Sequence, residues 1–170
     1  MPLDAALGPE VCHCFSVRSA ARHVTQFYDQ LLEPTGLRIT QYSILAMLKR
    51  LGPLTINALA KVLQTDRTTL GRNILPLERD GLIRIEQRAS DGRAKELHLT
   101  TAGEKRFQAA RPAWLKAQAT FESSFGPKRA ETLRALLRAL VASEFGGHRP
   151  GREPKVTNDA RSLIRQDNHM

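Results

Sequence analysis

A chain of 170 residues, 41% hydrophobic but only 5% aromatic, is long enough for one domain with an extension, and its core must be mostly Leu, Ile, Val and Ala. The net charge of +9, from 26 Lys and Arg against 17 Asp and Glu, suits an anionic partner. No apolar run approaches the ~20 residues of a bilayer span, and residues 1–10 lack the basic-then-apolar pattern of a signal peptide. A cytoplasmic protein without membrane contact is expected.

Cys12 and Cys14 are two positions apart. On a helix they would point about 200° away from each other, which excludes a disulfide between them. No second Cys/His pair completes a zinc site, so two free thiols are expected, with neither metal nor cofactor.

In chain order, apolar or small residues recur at helical spacing at Cys14, Val17, Ala21, Val24, Tyr28 and Leu31, and Pro34 and Gly36 end that helix. Tyr42, Leu45, Leu48 and Leu51 predict a second helix, with Thr40 as N-cap and Gly52-Pro53 as the stop. Thr55 caps a short third helix carrying Ile56, Leu59, Ala60 and Leu63. Asp66 caps a fourth from Arg67, whose buried stripe is Leu70, Ile74 and Leu77 and whose stop is Asp80-Gly81. Pro76 falls inside it and is expected to bend it.

The period then changes to two. Arg84-Ile85-Glu86 and Glu96-Leu97-His98-Leu99 alternate, with the polar stretch 87–95 between them as a long charged tip, which reads as a β-hairpin. Thr101 to Glu104 reads as a capping box for a fifth helix, bent by Pro112. After Gly126-Pro127 a last helix carries Leu133, Leu136, Leu137, Leu140 and Val141. Gly146-Gly147 closes the folded part, and the polar residues 148–170 are expected to be disordered.

The fold class is therefore mainly α with a small β-hairpin wing: a helix-turn-helix whose second helix is followed at once by a hairpin. In such a motif the second helix enters the major groove and offers its N-terminal residues to base edges. Here these are Arg67, Thr68, Thr69 and Arg72, since 70, 74 and 77 face the core. Arginine can read guanine O6 and N7 bidentately, and a threonine hydroxyl can meet base or phosphate. Either arginine alone would read rather as a solvated helix former; the hairpin and the basic charge favour DNA.

The run from Leu63 to Arg72, the run from Leu77 to Ile83, the wing triplet Asp91-Gly92-Arg93 and the run from Leu99 to Gly103 together resemble the MarR family of regulators, in the family's order over roughly residues 12–145. The resemblance implies a homodimer built from N- and C-terminal helices (11–36 and 101–146), a winged DNA-binding lobe (37–100), flexible tails (1–10 and 147–170) and a palindromic operator in double-stranded DNA. It also implies repression relieved by a small ligand or by oxidation. In the family the wing arginine enters the minor groove and the aspartate fixes the wing, roles that carry to Arg93 and Asp91. Gly71 stands where the family often has Thr, removing one phosphate or base contact.

Cys14-Phe15, Tyr28 and Gln41-Tyr42 further resemble the family's organic-hydroperoxide-sensing branch, whose reactive cysteine near the start of the first helix is held by two tyrosines. Tyr28 matches the first tyrosine, but Ile39 replaces the second, so a redox role for Cys14 competes with a small apolar cysteine buried at the dimer seam. Arg18, Tyr42 and Trp114 are candidates to line the family's effector pocket and hold a small aromatic or apolar acid. An enzyme is not expected, because the chain has no phosphate loop and its histidines are dispersed. A protein-binding winged helix without DNA readout is the remaining alternative.

Overall fold

The computed structural model describes residues 8–88 and 91–143, with the backbone alone at 10, 88 and 91–94. The expected glycine stop at 146–147 and the tail from 147 lie outside the described residues, as does the start of the N-terminal tail, 1–7. A 3-10 turn, Pro9–Val11, leads into α1, His13–Leu32. A second 3-10 turn, Glu33–Thr35, closes α1, and Gly36 takes the left-handed conformation at φ 73°, as the Pro34 and Gly36 signals predict.

Helix α2, Ile39–Leu51, starts ahead of the expected cap at Thr40. The Ile39 amide donates to Asp29 Oδ1 on α1 at 2.7 Å, and the Arg38 amide donates to Gln41 Oε1 at 2.9 Å. Two side chains thus satisfy amides that every helix start leaves orphaned. Thr40 instead donates its hydroxyl to Asn73 Oδ1 at 3.1 Å.

The two-residue strand β1, Leu54–Thr55, was not expected. Helices α3, Ile56–Val62, and α4, Arg67–Arg79, begin at the predicted caps. Thr55 Oγ1 accepts from Ala58 N at 3.2 Å, and Asp66 Oδ1 accepts from Thr69 N at 2.8 Å. Pro76 and, later, Pro112 each lie within one continuous helix rather than ending it.

Strands β2, Ile83–Arg88, and β3, Asp91–Leu99, extend the hairpin well into the expected tip. The antiparallel register runs from Ile83 opposite Leu99 to Gln87 opposite Lys95, then shifts so that Arg88 meets Asp91. Polar residues that read as turn formers therefore pair as strand, the extra ones absorbed at that bulge. Strand β1 pairs with the other edge of β3, giving the order β1-β3-β2.

Helix α5, Thr101–Phe125, is capped by Thr100, one residue before the expected Thr101: its Oγ1 accepts from Gly103 N at 3.0 Å. The same hydroxyl donates to the carbonyls of Gly81, at 2.7 Å, and Leu82, at 3.1 Å. These tertiary bonds decide between the two adjacent threonines.

The described residues form two compact units that divide after Gly126. In the first, Leu32, Leu45, Leu59, Leu70, Leu77, Ile83 and Leu97 are fully buried. This core also takes in Ala110 and the partly buried Phe107 and Trp114 of α5. Residues 37–100 thus share one core with the first half of α5. The second unit contains α6, Pro127–Ala142, whose Leu136, Leu137, Leu140 and Val141 are exposed.

Candidate nucleic-acid interface

The turn between α3 and α4 reverses the chain in four residues. The Thr65 amide donates to Ala60 O at 3.0 Å and the Gln64 amide to Lys61 O at 3.2 Å, the paired bonds of a Schellman ending. Its left-handed position, usually glycine, is held by Gln64 at φ 51°. The Gln64 side-chain amide adds a third bond, to Lys61 O at 3.0 Å. Asp66 follows as the cap of α4. Hydrogen bonds from Thr69, the side chain's first and then the backbone's, hold its carboxyl below the usual value, so the cap stays ionised through the neutral range.

Helix α4 is fixed at both ends and along its inner face. Leu70, Ile74 and Leu77 are buried. Gly81 (φ 68°) and Leu82 close the C-terminus, donating to Glu78 O at 2.9 Å and Leu77 O at 2.8 Å. Asn73 donates to Thr69 O at 3.0 Å while accepting from Thr40, which ties α2 to α4. Sequence reasoning overlooked Thr40 and Asn73 in this role, because nothing local pairs residues so far apart. With the inner face fixed, Arg67, Thr68, Thr69 and Arg72 are all exposed, on the first two turns where a recognition helix meets base edges.

In the wing, Ile83 and Leu97 are buried while Arg84 and Glu86 face outward. Arg84 pairs with Glu86 at 2.8 Å, and His98 lies 3.5 Å from Glu86 and 3.8 Å from Glu96. The backbone of Asp91 and Arg93 belongs to β3; their side chains lie outside the described residues.

Of the expected pocket residues, Tyr42 and Trp114 come together. Their rings stack at 5.7 Å and 19°, and Phe107 lies 5.0 Å from Tyr42 on the same helix as Trp114. Burial pushes the Tyr42 hydroxyl above the ordinary tyrosine value, with Arg111 pulling the other way. The cation acting on this aromatic group is thus Arg111, while Arg18 is exposed on α1.

A raised folded-state pKa means that the unfolded chain releases its proton first. Tyr42 therefore contributes stability that is full below about pH 10 and is lost as pH rises through its folded value. Denaturant midpoints measured at about pH 8 and about pH 11 should fall for the wild type and fall less for Tyr42→Phe. An identical alkaline loss in both would remove Tyr42 as its source.

The cysteines require one correction. Cys12 is not on the helix: it precedes α1 with extended backbone, at φ −76° and ψ 114°, and both thiols are free and exposed. The opposed directions expected of two helical residues do not apply to this pair, and Cys14 is not buried within its own chain. Cys14 and Tyr28 are separated by roughly 21 Å of helix axis and do not meet within one chain. The Tyr28 hydroxyl donates to Gln118 Oε1 on α5.

A tight helix-turn-helix that presents a basic outer face, followed directly by a two-stranded hairpin, defines a winged helix-turn-helix protein. The model of the MarR family matches residues 37–95. The crystal structure of the M. tuberculosis transcriptional regulator MosR is 35% identical, with a TM-score of 0.68, over 80% of this chain and 100% of that one. MosR in complex with DNA is 38% identical, with a TM-score of 0.67, over 79% of this chain and 99% of that one. The uncharacterised HTH-type transcriptional regulator YwoH of Bacillus subtilis is 29% identical over 125 residues, 74% of this chain and 90% of that protein. The chain belongs to the MarR family and is a DNA-binding transcriptional regulator, not an enzyme. No helix among the described residues is long and apolar enough to cross a membrane.

Proposed function

We propose that the protein is a cytoplasmic homodimer that binds a palindromic operator in double-stranded DNA, represses from it, and is released by a small aromatic or apolar acid. The observation that carries this reading is the start of α4, where Arg67, Thr68, Thr69 and Arg72 are exposed on a helix whose inner face and both ends are tied down. Arg67 and Arg72 read guanine edges, and the threonines meet base or phosphate. Arg93, delivered by the β2–β3 ladder, enters the minor groove, with Asp91 fixing the wing. Residues 37–100 supply the DNA-binding lobe, and 11–36 with 101–146 the dimer contacts.

Release by an aromatic acid is supported by the Tyr42–Trp114–Phe107 stack with Arg111 acting on Tyr42. It is favoured over a thiol switch at Cys14 because Tyr28 is engaged by Gln118.

The test is titration of the protein onto a duplex selected from a random library. Arg67→Ala and Arg72→Ala should each lose roughly 1–3 kcal/mol on the selected duplex and less on random DNA. Arg93→Ala should weaken binding without changing sedimentation. Equal losses on both DNAs would make the two arginines phosphate contacts, and no loss would remove α4 as the reading element. Release of the wild type, but not of Cys14→Ser, by an organic hydroperoxide would replace the ligand reading with the redox one.

A further inference from the structure

On a helix of 3.6 residues per turn, positions 68, 72, 75 and 79 share an arc of roughly 60°, facing away from the buried Leu70, Ile74 and Leu77 of α4. Three are Thr68, Arg72 and Arg79; the fourth is Leu75, 64% exposed. A helical side chain leans over the turn that precedes its own Cα, which for Leu75 is the turn of Gly71 and Arg72. A Cβ added at Gly71 would meet nothing within 4 Å, and its backbone is ordinary helix. Neither packing nor dihedral angle within the chain calls for glycine there, although glycine weakens a helix interior. Its remaining use is to let another molecule approach the backbone closely.

We propose that Gly71 and Leu75 form an apolar notch on the outer face of α4 that reads the C5-methyl group of a thymine in the major groove. The inference rests on α4 entering that groove and adds a determinant of its specificity. Leucine has no donor or acceptor, and the thymine methyl is the one apolar group on the major-groove edge of the four bases. Arg72, adjacent in sequence to Gly71 and in the same arc as Leu75, reads its guanine edge from this same face, so that its contact holds the notch against the floor of the groove.

The full-length protein is first used to select its preferred duplex from a random library. If no sequence is enriched, the reading of α4 fails and the notch with it. With a selected duplex in hand, each thymine is replaced in turn by deoxyuridine, which removes only the methyl. At one thymine per half-site the wild type should bind about 4-fold more weakly, the effect of one buried methyl group, whereas Leu75→Ala should bind both duplexes equally. Gly71→Ala, which fills the notch, should lose affinity for the thymine duplex while melting no lower than the wild type. A selected duplex with no methyl-sensitive thymine overturns the notch while leaving α4 as the reader. So does methyl sensitivity that persists in Leu75→Ala. A changed sedimentation coefficient for Leu75→Ala would assign that side chain to a contact between copies of the chain and would likewise overturn it.

Discussion

Gly103→Ala should destabilise the protein by roughly 3 kcal/mol, lowering its melting temperature by about 10 °C. The added Cβ would stand 1.9 Å from Leu82 O, 2.8 Å from Leu99 Cδ1 and 2.9 Å from Leu82 C. Backbone cannot swing aside as a flexible side chain can. The Leu82 carbonyl is also held in place, accepting from the Thr100 amide and the Thr100 hydroxyl, both at 3.1 Å. Relief therefore requires the start of α5 to move, which breaks the bond from Gly103 N to Thr100 Oγ1 that caps the helix. Overpacking of this kind costs about 1–3 kcal/mol, and a lost cap about 0.5–2 kcal/mol more. The better helix propensity of alanine offsets up to roughly 1 kcal/mol. Gly71→Ala is the control: its Cβ enters open space, so the same substitution should stabilise by roughly 0.5–1 kcal/mol. Urea denaturation of both variants beside the wild type checks the pair, and a Gly103→Ala protein as stable as the wild type would show that the junction yields.

Gly103 also marks where sequence reasoning reaches its limit. Its place in the run Leu99-Thr100-Thr101-Ala102-Gly103 is part of the family resemblance, yet nothing in that run shows that the glycine presses on the backbone of a residue some twenty positions earlier. Features made by neighbours in the chain were legible: Asp66 and Thr55 cap α4 and α3 because each acceptor lies three residues before its donor. The buried stripe of α4 followed from period alone. Where the deciding partner is distant, local signals misplaced the boundary. Helix α2 starts early because Asp29 reaches across from α1, and Thr100 displaces Thr101 because it also bonds the carbonyls after α4.

The same limit governs the site. Outward placement of Arg67, Thr68, Thr69 and Arg72 could be read from helical spacing once Leu70, Ile74 and Leu77 were assigned inward. The cation that acts on Tyr42 could not: Arg18 is the candidate in sequence, whereas the charge that favours the ionised Tyr42 hydroxyl is that of Arg111 on α5. The pairing of Gln87 with Lys95 and of Arg88 with Asp91 was hidden for a different reason. A bulge spoils strict alternation, so a bulged strand reads as turn. The helical pattern begins at Cys14 and says nothing of Cys12, which stands just outside α1 with extended backbone.

Replacing both Leu137 and Leu140 by Glu should yield a monomer and weaken operator binding by at least about 100-fold. The apolar stripe of α6 holds Leu136, Leu137, Leu140 and Val141, exposed at 63%, 42%, 39% and 61%; α1 likewise leaves Phe15 and Val17 exposed. A contiguous apolar stripe of that kind marks an interaction surface more often than solvated helix, and the homodimer proposed above gives it a partner. Two carboxylates at its centre would have to be buried unpaired in any such contact, at a cost that few interfaces tolerate. Once the copies separate, each recognition helix binds its half-site alone, and the second contact, about 34 Å away on the duplex, no longer benefits from being tethered. Tethering of two sites is worth roughly 10²–10⁴ in affinity, which sets the size of the loss. Sedimentation, helical circular dichroism and operator titration on one preparation check it. The variant should keep its helical signal and bind a full palindrome little better than a single half-site. A double variant that remains dimeric and binds at full strength would place the seam elsewhere than on α6.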